Sequence, residues 1–201
     1  RRLVLGEDHP DTLVSAASLA IDLRELGELQ AARDLDRDTL DRHRRVLGQD
    51  HPSTLRSAPI LAHDLRALGE VDAARDLDQD TLDRRRLVLG EDHPDTLASA
   101  ASLAIDLREL GEFDAARDLD QDTLDRRRLV LGEDHPDTLV SAASLATDLR
   151  ELGELQAARD LDQDTLDRRR RTLGHDHPDT LASAASLATD LRELGEADDA
   201  P

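Results

Sequence analysis

Cysteine, methionine, tryptophan, tyrosine, lysine and asparagine are all missing from the 201 residues, and Phe113 is the only aromatic. Without cysteine there can be no disulfide, no thiol chemistry and no thiolate zinc site, and a reducing compartment is the natural setting. A near absence of aromatics argues against an ordinary globular core, because those side chains bury the most area per residue. A stack of Leu- and Ala-rich helices does not need them. No apolar run approaches the roughly 20 residues that span a bilayer, and no signal peptide is visible. Positive charge is scarce as well: 26 basic against 46 acidic residues leave a net charge of −20. A field of that sign opposes phosphate backbones and anionic lipid, so neither nucleic acid nor membrane is expected as a partner. Neutral or basic proteins are favoured, and the expected location is cytoplasmic.

What is present is a repeat. The phrase LGxDHPxTL occurs five times, with its histidine at His9, His51, His93, His135 and His177, always 42 residues apart. A period of that length marks a solenoid rather than a globular domain around one central site. The repeats are 7–48, 49–90, 91–132 and 133–174, with a partial fifth at 175–201, in one array without a linker. Residues 1–6 match 85–90 and read as the end of a preceding repeat; with no initiator Met, the chain reads as a segment of a longer protein.

Each repeat predicts two helices. The first starts at His-Pro, where proline suits the first helical position and Asp11 complements the helix dipole. Leu13, Ala16, Leu19, Ala20, Leu23 and Leu26 recur at helical spacing, and Gly27 takes the usual position after the last turn. The second helix starts near Leu29 and ends at Gly48. Its aspartates (Asp34, Asp36, Asp38, Asp41) come before its arginines (Arg42, Arg44, Arg45), an order that suits the dipole and allows Asp38–Arg42 and Asp41–Arg45 pairs. Such Asp/Arg runs are expected to form a solvated, salt-bridged face. Pro59 lies inside a first helix, where it removes a hydrogen bond at about 3 kcal/mol, and is expected to kink or divide it.

These features resemble the tetratricopeptide repeat superfamily, most closely the 42-residue variety of kinesin light chains and actinobacterial relatives. Leu19-Ala20, Leu23, Gly27 and Ala32 fall on the signature positions of the shorter repeat, and LGEDHPDTL is the hallmark of the longer one. The resemblance implies an all-α, right-handed superhelix of antiparallel helix pairs. Its first helices would line a concave groove that holds peptides or protein segments. It also implies a place at the sensor end of signalling ATPases with an NB-ARC-type domain, although no nucleotide-binding motif is present here. Three departures stand out. Ala17-Ser18 replace a frequent Asn-Asn that helps kinesin light chains clamp a peptide backbone, Asp36 replaces a frequent aromatic, and Thr39 replaces Ala.

On the family's geometry, the concave positions are those beside the buried stripe of each first helix. In the first repeat these are Val14, Ala17, Ile21 and Glu25, with Arg24 at the edge. The second repeat contributes Arg56, Ile60, His63 and Arg66, and the third Ala98, Ile105, Arg108 and Glu109. Val140, Thr147 and Arg150 follow in the fourth, then Thr189 and Arg192 in the fifth. The second repeat departs most from the others along this arc. The expected surface is shallow and mildly apolar, with a row of arginines along it. Neutral drift between recent duplicates explains the same differences.

No catalytic chemistry, metal or cofactor is expected. The periodic histidines sit one repeat apart, roughly 10 Å or more given helix-packing distances, too far to share an ion. They read as helix-start residues that fix the turn, hydrogen-bonding backbone N–H groups. His175-Asp176-His177 is denser, but arises from one substitution at the position of Glu133. No nucleophile, phosphate loop or oxyanion arrangement accompanies the Asp-His steps. The expected function is a protein- or peptide-binding scaffold that senses or recruits a partner for a larger signalling protein. The alternative is a structural array that self-associates through exposed terminal repeats, giving homo-oligomers.

Overall fold

Every first helix is opened by the same local device. The ring Nδ1 of His9, His51 and His93 accepts the backbone N–H two residues on, at 3.1 Å, and His135 and His177 do so at 3.2 Å. The periodic histidine is therefore a side-chain N-cap, satisfying a donor that the first helical turn leaves unpaired. Proline follows at the first helical position each time. A threonine clasps the incoming turn: the hydroxyls of Thr12, Thr54 and Thr138 donate to the carbonyls of Gly6, Gly48 and Gly132 at 2.7–2.8 Å.

The computed structural model describes residues 6–195. Among them lie nine α-helices and no strands. The first helices of the repeats are α1 (Pro10–Glu25), α3 (Pro52–Ala67), α5 (Pro94–Glu109), α7 (Pro136–Glu151) and α9 (Pro178–Glu193). The second helices are α2 (Leu29–Leu47), α4 (Val71–Leu89), α6 (Phe113–Leu131) and α8 (Leu155–Leu173). Residues 1–5 and 196–201, which hold most of the preceding repeat's end and the tail of the partial one, lie outside the described residues. No helix among the described residues is long and apolar enough to cross a membrane.

First helices end in a tight reversal. In α3 the N–H of Gly69 bonds Arg66 O at 2.8 Å and that of Glu70 bonds Leu65 O at 2.9 Å, with Gly69 at φ 76°. That backbone conformation favours glycine. A Cβ at Gly69 would meet nothing within 4 Å, so only backbone strain opposes it. Gly69→Ala is expected to lower stability by about 1–2 kcal/mol, read as a urea-midpoint shift. No shift would mean that the turn relaxes.

The chain divides into two compact units, Arg1–Leu110 and Gly111–Pro201. In the first, successive helices from α1 to α5 pack against one another. Helix α3 is held between α2 and α4: Ala58, Leu61, Ala62 and Leu65 bury against Leu40 of α2 and Ala74 of α4, with Leu77 alongside. Each fully buried leucine contributes about 1.5–3 kcal/mol. Ala62 and Ala74 are both 0% exposed, so the backbones approach closely and no larger side chain would fit. In the second unit successive helices from α6 to α9 pack likewise, with Leu124 of α6 against Ala142 and Leu145 of α7. Each unit stacks helix pairs in the manner of an all-α repeat solenoid, since no single repeat covers its own apolar stripe.

Pro59 does not divide its helix: α3 has the same 16 residues as α1, α5, α7 and α9. The reason is a replacement donor. Pro59 lacks the N–H that would bond Leu55 O, and the buried Arg85 guanidinium of α4 donates to that oxygen at 2.9 Å. At the matching place in the fourth repeat, where Ala143 keeps its N–H, Arg169 lies 3.4 Å from Leu139 O.

Candidate functional site

In the first unit the candidate binding residues fall on the outer arcs of α1, α3 and α5. Val14 is 62% exposed, Ile21 51%, Ile60 37% and Ile105 40%. Glu25, Arg56, His63, Ala98 and Glu109 are exposed, and Ala17 is half-buried. Because α3 packs directly on α5 as well as on its own partner helices, positions of equal register on these helices form rows. In the second unit α7 presents Val140, 50% exposed, and the half-buried Thr147, whose hydroxyl bonds Ala143 O at 3.0 Å. Helix α9 presents Thr189, bonded to Ala185 O at 3.1 Å, and the exposed Arg192.

The arginine row is partly occupied by the fold itself. Arg24 Nη1 donates to Asp36 on α2 at 2.7 Å and to both oxygens of Asp64 on α3, at 2.9 and 3.0 Å. Arg66 Nη1 reaches Asp78 on α4 at 3.3 Å, Asp106 on α5 at 2.9 Å and Ser102 O at 3.1 Å. Arg150 holds Asp162 on α8 at 3.0 Å and Asp190 on α9 at 2.5 Å. The pattern is Arg at i, Asp at i+12 and Asp at i+40: one guanidinium ties a first helix to its own second helix and to the next first helix. These arginines are half-buried, and all six aspartates are at most 4% exposed. Arg108 is half-buried too.

Burial dominates the electrostatics of these clamps. It pushes the Asp36 carboxyl up to about 6, and Asp64 adds to the rise while Arg24 opposes it. Asp78 is pushed to about 7 by burial and by the charge of Asp106, against the pull of Arg66. Asp162 rises to about 7, again by burial first and by Asp190 next.

A second arginine row is also internal. Arg85 donates to Asp95 O at 2.7 Å and Ser99 Oγ at 2.8 Å, besides Leu55 O. Arg127 bonds Asp137 O and Ser141 Oγ at 2.9 and 2.8 Å, and Arg169 bonds Asp179 O and Ser183 Oγ at 3.0 and 2.8 Å. In the first repeat His43 stands there, with Nδ1 2.8 Å from Ser57 Oγ. The expectation of a solvated Asp/Arg face on the second helices is thus corrected for two of its rows. A second helix is covered by its own first helix and by the next, so Asp36, Asp78 and Asp162, with Arg85, Arg127 and Arg169, are buried. Of the two expected pairs on α2, Arg42 pairs with Asp38 at 2.8 Å though largely buried, whereas Arg45 reaches back to Asp8 at 2.7 Å rather than to Asp41. Arg84 joins Asp80 at 2.9 Å to Asp50 at 2.8 Å.

Sequence reasoning passed over the buried aspartates, yet a signal was there. The buried Asp64, Asp106, Asp148 and Asp190, with Asp22 exposed at the first repeat, are identical in all five copies while the neighbouring outer-arc positions vary. Asp36 stands where an aromatic would otherwise pack. Among the described residues no group of three or more His, Cys, Asp or Glu is arranged to hold a metal ion. His175, Asp176 and His177 are exposed, and the His177 ring is engaged as an N-cap.

A cavity of 480 Å³ opens on α1 and α2, lined by Leu13, Ala16, Leu19 and Leu35 with Asp38 and Arg42 at its edge. It is a repeat-stacking face. Leu19 is 51% exposed there, whereas its counterpart Leu61 is 4% exposed, packed with Leu40 of the preceding helix.

Comparison with known proteins agrees with this geometry. One tetratricopeptide repeat family model matches residues 58–128, 100–171 and 140–200, and a second matches 12–53. The comparison with curated proteins gives no match. Among solved structures, a Podosopora anserina protein of nearly identical TPR-like repeats, assigned to the kinesin light chains, is 29% identical with a TM-score of 0.85. The match covers 95% of this chain and 90% of that one. BtubC from P. vanneervenii has a TM-score of 0.81 at 18% identity, covering 94% and 75% of the two chains. The MamA protein has a TM-score of 0.62 at 13% identity, covering 96% and 86%. The last two likenesses are of fold alone.

Proposed function

Because the chain belongs to the tetratricopeptide repeat family, we propose that it binds a protein or peptide partner along the outer arcs of its first helices. The observation that carries this reading is the set of exposed apolar side chains there, Val14, Ile21, Ile105 and Val140, at or beside the positions that vary between repeats. The clamps beneath hold the arcs in place, so a partner would meet a platform that costs little to order. Each repeat contributes a small patch, and affinity comes from several patches engaged together. The partner is neutral or basic, since a chain of net charge −20 repels acidic surfaces. The array serves as the sensor or recruiting region of a larger signalling protein, of the kind joined to NB-ARC-type ATPases, in the cytoplasm, with no catalysis of its own.

The test compares two baits in native extract: the array itself and a variant carrying Ile21→Asp and Ile105→Asp. Circular dichroism checks that both fold. The two isoleucine changes are at solvent positions and should each cost under about 0.5 kcal/mol. A partner identified by mass spectrometry, captured by the first and lost by the second at least tenfold, supports this face. Equal capture by both moves binding elsewhere.

A second reading rests on the cavity at α1 and α2. An apolar stacking face with Leu19 half-exposed would pair with the same face of a second copy. Leu19→Glu is expected to shift the sedimentation of a concentrated sample to monomer. A mass independent of concentration in the unsubstituted chain would remove this reading.

A further inference from the structure

Each clamp sets two buried carboxyls against one guanidinium, which is one negative charge too many for a site shielded from water. We propose that each of the three junctions under Arg24, Arg66 and Arg150 binds a proton, shared by the two aspartates under the arginine, and that acid near neutral pH thereby tightens the stacking of repeats there. The inference does not depend on what the outer arcs bind.

The middle junction of the first unit shows the geometry best. Arg66 Nη1 takes one oxygen from each acid, Oδ2 of Asp78 and Oδ1 of Asp106. The remaining oxygens, Asp78 Oδ1 and Asp106 Oδ2, are buried without a hydrogen-bond donor. Both residues are 0% exposed, and both carboxyls meet at the same guanidinium nitrogen. Two carboxylates held at one guanidinium nitrogen in a dry site repel unless one of them takes up a proton. One proton removes the surplus charge and supplies the missing hydrogen bond. The same three residue types meet again with Asp36 and Asp64 under Arg24, where both Asp64 oxygens are bonded, and with Asp162 and Asp190 under Arg150, where Asp190 Oδ2 is buried without a donor.

The charged groups that face these carboxyls are few. Arg66 and Arg85 face Asp78, and Arg66 and Glu109 face Asp106. Arg24 faces Asp36 and Asp64, which face each other. Arg150 and Arg169 face Asp162, and Glu193 lies near Arg150. No histidine takes part.

The sign follows from linkage. An unfolded aspartate titrates near 3.9, and the folded Asp36, Asp78 and Asp162 titrate at about 6, 7 and 7. Between those values the folded chain holds more protons than the unfolded one. This contribution to stability is therefore full below about pH 4 and is lost as pH rises through about 6–7. Each pair titrates as a unit, so the proton belongs to the junction rather than to one residue.

The direct test is an infrared titration of the whole chain, following the carbonyl band of protonated carboxylic acid. About two to three such groups per chain are expected at about pH 6, falling at least fivefold by about pH 8.5. The triple variant Asp36→Asn, Asp78→Asn, Asp162→Asn carries an amide N–H where the proton would sit. It should lack the band and lose most of the fall in urea midpoint between about pH 5.5 and 8. Absence of the band from folded wild-type chain near pH 6 overturns the proposal, whatever the variant does. So does a variant that folds yet keeps the full wild-type slope.

Discussion

Arg66→Met is expected to destabilise the first compact unit by about 3 kcal/mol near pH 8. Removing one member of a buried charge cluster leaves the others without compensation. Asp78 and Asp106 would stay in place, at 0% exposure, with the guanidinium that bonds them both gone. The cost should shrink as pH falls, because both carboxyls can then take up protons; near pH 5 it should be less than half as large. Urea denaturation at the two pH values measures both numbers. Arg84→Met is the control: it breaks ion pairs to Asp50 and Asp80 at half-exposed positions, worth under about 1 kcal/mol. Equal losses for the two variants would mean that the clamp is no more than a surface pair.

The second large effect is expected at Arg85. Arg85→Ala strips donors from Leu55 O, Asp95 O and Ser99 Oγ at once and should cost about 3 kcal/mol. Part of that cost belongs to Pro59, which leaves Leu55 O dependent on Arg85. In a Pro59→Ala background the helix supplies its own N–H to Leu55 O, and Arg85→Ala should cost about 1 kcal/mol less. A double-mutant cycle over the two positions reads this coupling. Strict additivity would show that Arg85 does nothing for the proline. Arg85 is also the reason that a proline in mid-helix could arise in the second repeat: the donor was already aimed at that carbonyl, as Arg169 is near Leu139 O in the fourth.

Much of this was legible in advance. His-Pro at each helix start and Gly at each end are local signals, and the helices run from Pro10 to Glu25 and from Leu29 to Leu47, where those signals put them. The histidine as a helix-start residue followed from its period and its place before proline. What the sequence obscured was the inner face of the second helix. Asp36 and Arg85 read as surface residues by type, and their burial depends on the first helix of the next repeat covering them. Pro59 misled for the same reason: local rules count the lost N–H and cannot see a guanidinium from the next helix.

By itself, then, the sequence determined the helices, their pairing, the 42-residue stacking rule and the family, because each rests on short-range periodicity and capping. Tertiary structure decided which charges are inside. A second helix has one face against its own first helix and another against the next, and only that double cover turns Asp78, Asp106 and Arg66 from a solvated run into a buried, proton-hungry clamp. It decided likewise that Arg24 and Arg66, beside the outer arcs, are tied down from below, while Ile21 and Ile105 remain exposed. Desolvation is a property of neighbours brought together by folding, and no window of sequence contains it.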